Sequence, residues 1–367
     1  MKAVVRNDVW PDPMTLAIEQ QFTRHGIVLR PQSSTYEELG VLNPACARLR
    51  DGTLQLYPRM VAAGNISRIG SFRGHRDRGG TVAFEQCGFA LEPEAPYELR
   101  DQPGGYGCED PRVTYIATLD TYVMAYVAFG PRGPEVAVAL SEDGLAWHRL
   151  GLLCFRGGQE RFADKDAAFF PEPVLSPAGI SSIALYHRPT LDISVREGES
   201  AVAALKALPP EKRETISIGY IPLDAVRADI QRLCTVTETC RLTLPPARWG
   251  RIKVGAGTPP VRVREGWLAV IHGVDEPEYA QDGMPLRYSA GIIVHDPAHV
   301  ERLVHRSPEP LFVPKLPGEL SGTVGNVVFP TGIDPQGDRA FDIYYGMADY
   351  AIGCGLLTLN ESRSSSK

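Results

Sequence analysis

The segment Gly107-Cys108-Glu109-Asp110-Pro111-Arg112 places two adjacent carboxylates before a proline and a cation. The residue before proline is pushed out of the α region, so Asp110 is expected in an extended conformation, rigidly aimed beside Arg112. A carboxylate held that way suits general acid or base work. An Asp-Pro turn with a surface ion pair carries the same local signature. Three other segments gather polar residues among glycines and prolines where strands are expected to end. One runs from Arg161 to Glu172 through Lys165-Asp166, and His187-Arg188-Pro189 follows it. Another is Lys253-Val-Gly-Ala-Gly-Thr-Pro-Pro260, leading into Gly266 to Gly273 with His272. The last is Tyr344-Tyr-Gly-Met-Ala-Asp349. Taken singly, none is diagnostic, because a lone Lys or Arg is usually a solvated surface charge.

Several chemistries are excluded by pattern. The chain has no GxSxG elbow, HExxH, Walker A or GxGxxG, and Gly255-Ala-Gly257 runs into Pro259-Pro260 rather than into a helix. Its histidines show no metal-ligand spacing, so no metal site is expected. The net charge of −6 argues against nucleic acid or an anionic membrane surface as the main partner. Any anion handled here must therefore be held by a local cluster of cations. The seven cysteines are odd in number, widely spaced and without a CxxC pair, as expected of free thiols in a reducing compartment. The first residues lack the apolar stretch of about 7–15 residues that marks a secretory signal. No window approaches about 18 consecutive apolar residues. A cytoplasmic protein is expected on these grounds.

The elements that must position these residues are short strands. The 36 glycines and 31 prolines are scattered through the chain, as punctuation between many strands. Strands are expected at 53–57, 113–116, 122–129, 136–140, 183–186, 216–221, 267–272, 290–295 and 341–345. The phrase from Ser141 to Trp147, a polar turn followed by an aromatic, has counterparts at Ile221 to Val226 and Val294 to Val300. Turns of this kind at successive sheets suit propeller blades, at an irregular period of roughly 70 residues, and leave a sandwich or a barrel open as alternatives. Helix is expected only at 199–208 and 223–233. The charged stretch 192–215 reads as a loop insertion. A single all-β domain is expected, with a core over about 40–357 and a flexible tail at 360–367.

Together these segments resemble glycoside hydrolase family 130, the β-mannoside phosphorylases and β-mannosidases. The matching phrases are Asn43-Pro44-Ala45 with Arg59, Glu109-Asp110-Pro-Arg112, Lys165-Asp166 with Phe170-Pro171-Glu172, His187-Arg188-Pro189 and Lys253 to Pro260. They continue through Gly266-Trp-Leu, His272-Gly-Val, Tyr288 before Gly291, Gly322 through Asn326 to Pro330, and Tyr344-Tyr-Gly with Asp349. The resemblance implies a five-bladed β-propeller, here with a short helical insertion, and an active site in its axial pocket. It implies Asp110 as proton donor, acting through the 3-hydroxyl of a bound mannose. Asn43, Arg59 and Asp349 match positions that grip this sugar, and Glu109, Arg112, Lys165 and Asp166 lie in the matching substrate-site phrases. Arg188, Lys253, His272 and Tyr288 match phosphate-binding positions.

The implied reaction is inverting phosphorolysis of a β-1,2- or β-1,4-linked manno-oligosaccharide or mannosyl-glucose to α-mannose 1-phosphate. Phosphate is then a co-substrate, with no cofactor and neither nucleic acid nor membrane as partner; a homo-oligomer is compatible with the sequence. The alternative is an inverting β-mannosidase, which needs a second carboxylate to activate water. The acidic run Asp275-Glu276-Pro-Glu278 offers Glu276 or Glu278 for that role. A non-catalytic sugar-binding propeller is a third reading.

Overall fold

The computed structural model describes residues 16–361, apart from 17, 33, 77–81, 192–200, 243, 245–246 and 277–285. The chain is mostly β, in successive antiparallel meanders. Strand β1 (Ile18–Leu29) is set apart, because its partner comes from the other end of the chain. The first meander is β2 (Gly40–Arg48), β3 (Leu54–Ala62), β4 (Ile66–Arg76) and β5 (Val82–Leu91). The second is β6 (Tyr106–Ile116), β7 (Thr121–Gly130), β8 (Gly133–Ser141) and β9 (His148–Leu152). A short parallel contact, Ile66 with Tyr106 and Ser67 with Gly107, joins these two into one sheet of eight strands.

The third meander comprises β10 (Asp164–Phe169), β11 (Val174–Leu175), β12 (Ser181–Pro189), β13 (Ser217–Pro222) and β14 (Glu238–Arg241). The fourth comprises β15 (Lys253–Ala256), β16 (Val261–Val263), β17 (Gly266–Asp275), β18 (Arg287–His295) and β19 (Leu303–Arg306). In the last sheet, β20 (Val328–Gly337), β21 (Ala340–Met347) and β22 (Ala351–Glu361) are completed by β1, paired along β22 from Ile18 opposite Glu361 to Leu29 opposite Ile352. Paired strands thus reach outside the expected core at both ends, and residues 360–361, expected in a flexible tail, belong to β22.

All the strands expected from the sequence lie within, or within one residue of, observed ones. The polar turn after β8 is built as expected. Asp143 accepts from the Leu145 and Ala146 amides, and Trp147 packs edge-on against Tyr57. The expected helix at 199–208 is α1 (Ala201–Ala207) within the described residues. That at 223–233 is shorter: α2 (Leu223–Ala228) stops where Asp229 turns extended and caps a separate 3-10 turn, Ile230–Cys234, through Gln231. No described helix is long and apolar enough to cross a membrane.

Among the described residues the core is divided into five clusters, each drawn from two meanders. Tyr57 and Ile69 pack with Val113 and Met124, and Val123 and Val138 with Phe169 and Ile183. Phe170 and Tyr186 meet Trp249 and Trp267; Leu268 and Ile292 meet Ile343 and Tyr345; Tyr344 and Cys354 meet Val41 and Leu56. Trp249, with Trp267 the largest of these side chains, is fully buried, with its indole donating to the Ser307 carbonyl at 3.1 Å. It fits only because Gly273 and Gly291 lack side chains: a Cβ at either would stand 2.4–2.5 Å from the indole. Gly291→Ala is therefore expected to destabilise the fold by about 1–3 kcal/mol, the usual cost of overpacking a core. Urea unfolding checks this, and an unchanged midpoint would mean that the indole has room to move.

Candidate functional site

Polar side chains converge where the first strands of the meanders break register. The ladder slips between Leu42 and Ala45 in β2, between Glu109 and Arg112 in β6, and between Lys165 and Ala168 in β10. Each slip holds an Asn or Asp with positive φ: Asn43 at 44°, Asp110 at 45° and Asp166 at 57°. Asp349, at the turn between β21 and β22, has φ of 49°. Asn and Asp enter the left-handed region more readily than other side-chain-bearing residues, and a bulge re-aims the residue it carries. The extended conformation expected for Asp110 from Pro111 is thus not the one adopted. The bulge, shared with Asn43-Pro44, outweighs the pre-proline preference.

Asn43 donates to the Asp110 carboxylate at 3.0 Å. Arg59 donates to Asp110 at 3.3 Å, to Glu109 at 2.8 Å and to Ser67 at 3.0 Å. Burial raises the pKa of Asp110, but Arg59, Arg112, Asn43 and Lys165 outweigh it and hold the group below the usual carboxylate range. Asp349 goes the other way. Burial first, then the charges of Asp110 and Glu109, lift it to about 6 against the pull of Arg59 and Lys165. One carboxylate is kept ionised and its neighbour is poised to hold a proton.

A second group forms around Asp166. Its carboxylate takes the Arg188 guanidinium at 2.6 Å and lies 3.6 Å from both His272 Nε2 and an Arg112 nitrogen. Burial raises the Asp166 pKa, but Arg188, His272 and Arg112 drive it far below the carboxylate range. His272 is itself pushed down to about 3, by burial first and then by the cations Arg188, Arg112 and Lys253 against the opposing charge of Asp166. It is a neutral imidazole, 4.4 Å from Phe329 between ring centres, with a buried Nδ1 that no protein group meets among the described residues. Lys253 stands 5.6 Å from the Tyr288 ring centre, and the His272 and Tyr288 rings are 6.2 Å apart.

Arg112 links the two groups. It donates to the Asp110 carbonyl at 2.7 Å, to the Gly257 carbonyl at 2.8 Å and to the Ala256 carbonyl at 3.3 Å, and it faces Asp166. All the residues singled out as sugar- or phosphate-binding are therefore brought together in one region of the molecule. The glycines of the sequence phrases make the room. A Cβ at Gly255 would strike Asp166 and His272, and one at Gly346 would strike the Asn43 Oδ1.

Sequence reasoning missed Glu214. This buried carboxylate ion-pairs with Arg188 from the far end of the presumed insertion and accepts the Leu191 amide. Its one local signal is its place just before the apolar strand β13. His187, by contrast, is structural, bonded to Asp164 and Thr239 at 2.9 Å each. Of the acidic run, Glu276 is tied to Lys206 of α1 at 2.6 Å, and Glu278 lies outside the described residues.

The chain is 25% identical over 344 residues to a 1,2-β-oligomannan phosphorylase of Thermoanaerobacter sp. (strain X514), covering 91% of this chain and 95% of the relative. Its fold matches that of a β-1,2-mannobiose phosphorylase from Listeria innocua, solved with β-1,2-mannobiose, at a TM-score of 0.68 and 20% identity over 92% of this chain and 96% of the other. It also matches, at 0.66 and 19% identity over 95% of each chain, a structure from work on family members that are glycoside hydrolases targeting β-1,2 mannosidic linkages in Candida mannan. A family model described as β-1,4-mannooligosaccharide phosphorylase matches residues 16–203 and 237–362. The chain belongs to glycoside hydrolase family 130.

Proposed function

We propose that this protein is an inverting phosphorylase of β-mannosides, releasing α-mannose 1-phosphate, with Asp110 as its proton donor. The observation that carries the reading is the cation group reached through Arg112: Arg112 and Arg188 meet at Asp166, and with Lys253, from three strands, they bear on neutral His272. An anionic nucleophile needs no general base, but it must be gathered and aimed by cations, since the protein as a whole is acidic. Lys253, with no carboxylate at ion-pair distance among the described residues, is the cation most available for this. Names of relatives such as the 1,2-β-oligomannan phosphorylase support mannosides as the substrate class and leave β-1,2 and β-1,4 linkages both open.

The proton chemistry follows from the partners of Asp110. While Asn43 and Arg59 donate to it, its proton affinity is low. A mannose whose hydroxyls take over these donors removes the groups that favour the charged form, so the pKa rises where an acid is needed. Asp349, Arg59 and Asn43 are proposed to hold that sugar.

The fold proposed is a five-bladed propeller in one domain. Five meanders in chain order, five core clusters shared pairwise between them, and β1 completing the sheet of β22 support it. Seven unpaired cysteines support a reducing compartment such as the cytoplasm. One observation favours the second reading, hydrolysis: Glu214 already supplies Arg188 with a carboxylate. Incubating the protein with β-1,2- and β-1,4-mannobiose, with and without phosphate, separates the two. Mannose 1-phosphate formed only with phosphate is the expected result, and free mannose formed at an equal rate without it would establish the hydrolase.

Asp110→Asn is expected to lower turnover by about 10²–10⁴-fold, the contribution of a general acid. Activity within about tenfold of the parent would remove Asp110 from the role.

Lys253→Ala is expected to raise KM for phosphate by about ten- to a hundredfold, one charge-assisted hydrogen bond being worth about 1.5–3 kcal/mol. KM for the mannoside should shift only a few-fold. Steady-state kinetics with each substrate varied in turn makes the distinction, and equal effects on both would place Lys253 elsewhere.

Asp349 gives a pH-dependent expectation. Its pKa rises from 3.8 to about 6 on folding, so in that window the native state holds a proton the unfolded chain has lost. Stability then falls as pH rises through it, by up to about 3 kcal/mol. Asp349→Asn should be more stable than the parent at pH 7 and no more stable near pH 4, while losing activity. Urea unfolding at the two pH values checks this; a difference independent of pH would show that the carboxyl is not protonated in the fold.

A further inference from the structure

On the face of the last sheet turned toward β5, His25, Asp342 and Cys354 lie together although far apart in the chain. One candidate ligand atom from each falls within 4.8 Å of the other two. Strand pairing explains the meeting. Tyr344 is opposite Cys354 and Asp342 opposite Leu356, so Asp342 and Cys354 occupy the same face of β21 and β22 as diagonal neighbours. On β1, Arg24 pairs with Gly355 and Gly26 with Cys354, which leaves His25 as the extra residue of a bulge. Gly26 accommodates it at φ of 119°, and the bulge turns the imidazole toward the same two residues. The three line a cleft of about 960 Å³ between β1, β5 and β21. His25 is exposed, while Asp342 and Cys354 are buried in the cleft floor.

We propose that His25, Asp342 and Cys354 bind a borderline-soft divalent cation, Zn²⁺ foremost, at a site separate from the mannoside centre. The donor set fits. Thiolate, imidazole and carboxylate are the three ligand types zinc takes, and a tetrahedral ion bound by them sets the donor atoms roughly 3.3–3.6 Å apart. The three donor atoms already lie within 4.8 Å of one another, so closing on the ion draws them together by at most about 1.5 Å. On binding, Cys354 forms the Zn–S bond and releases its proton to solvent, and His25 binds through a neutral ring nitrogen. The open side of the cleft leaves the fourth position to water. Such an ion fastens the first strand to the last two and stabilises the seam where the two ends of the chain meet.

The test uses the full chain, freed of metal by a chelator and then titrated with Zn²⁺ against a chromophoric competitor. About one tightly held ion per chain is expected, with affinity falling at least tenfold in His25→Ala and in Cys354→Ser and staying unchanged in Cys87→Ser, which removes an exposed thiol. Co²⁺ should give an intense near-ultraviolet sulfur-to-metal band that Cys354→Ser abolishes. His25 is on the surface, so His25→Ala decides the matter even if Cys354→Ser folds poorly. The proposal is overturned by the absence of a stoichiometric site, by undiminished binding in His25→Ala, or by a site that is lost with Cys87.

Discussion

Arg112 is a fully buried cation, and burying a guanidinium costs several kcal/mol unless its donors and its charge are satisfied. Its donors go to the carbonyls of Asp110, Ala256 and Gly257, and its charge is answered by Asp166. Three strands, β6, β10 and β15, are therefore fixed relative to one another by a single side chain. The cost is met only if Asp110 presents its carbonyl inward and Asp166 its carboxylate. Both depend on bulges that carry Asp at positive φ. Moving any one of these parts leaves a buried charge uncompensated, so the centre is held as a unit, not as separate contacts.

This dependence explains which parts of the site were legible in the sequence. Lys165-Asp166, Arg188, Lys253 and His272 stand out as polar residues at the ends of apolar strands, and they do converge. Asn43-Pro44 and Asp110-Pro111 are legible too, but their conformation is not. A proline after Asp argues for extended backbone, while the ladder slip that overrides it depends on partner strands. Glu214 was hidden because its partner Arg188 lies across a charged stretch that reads as a solvent-facing loop. Local composition cannot tell a carboxylate at the mouth of such a stretch from one buried on an arginine.

The strands were legible for the ordinary reason that apolar runs bounded by Gly, Pro, Asp and Asn leave few alternatives. The role of the glycines was less so. Gly255 and Gly346 look like turn residues in sequence, yet both stand in strands where a Cβ would collide with a site side chain. The helix at 223–233 was overextended because the apolar spacing of Val226, Ile230 and Leu233 continues through Asp229. There the backbone leaves the helix, since that aspartate bonds the Gln231 amide instead.

The two carboxylates at the centre show what such a framework does chemically. Asp110 and Asp349 are close enough for each charge to act on the other, and both act on Arg59. Identical groups would share a proton evenly, but their surroundings differ. Asp110 has the donors of Asn43 and Arg59 and the nearby charge of Arg112, whereas Asp349 is dominated by burial and by the negative charges beside it. The resulting spread, one pKa below the carboxylate range and one near 6, is the pattern by which active sites divide acid and base roles between like residues. It also sets a condition on turnover. In the mechanism proposed above, Asp110 is held ionised by Asn43 and Arg59 and must lose these donors before it can give a proton, a change that a bound sugar's hydroxyls can bring about. On that proposal, substrate binding and arming of the acid are the same event.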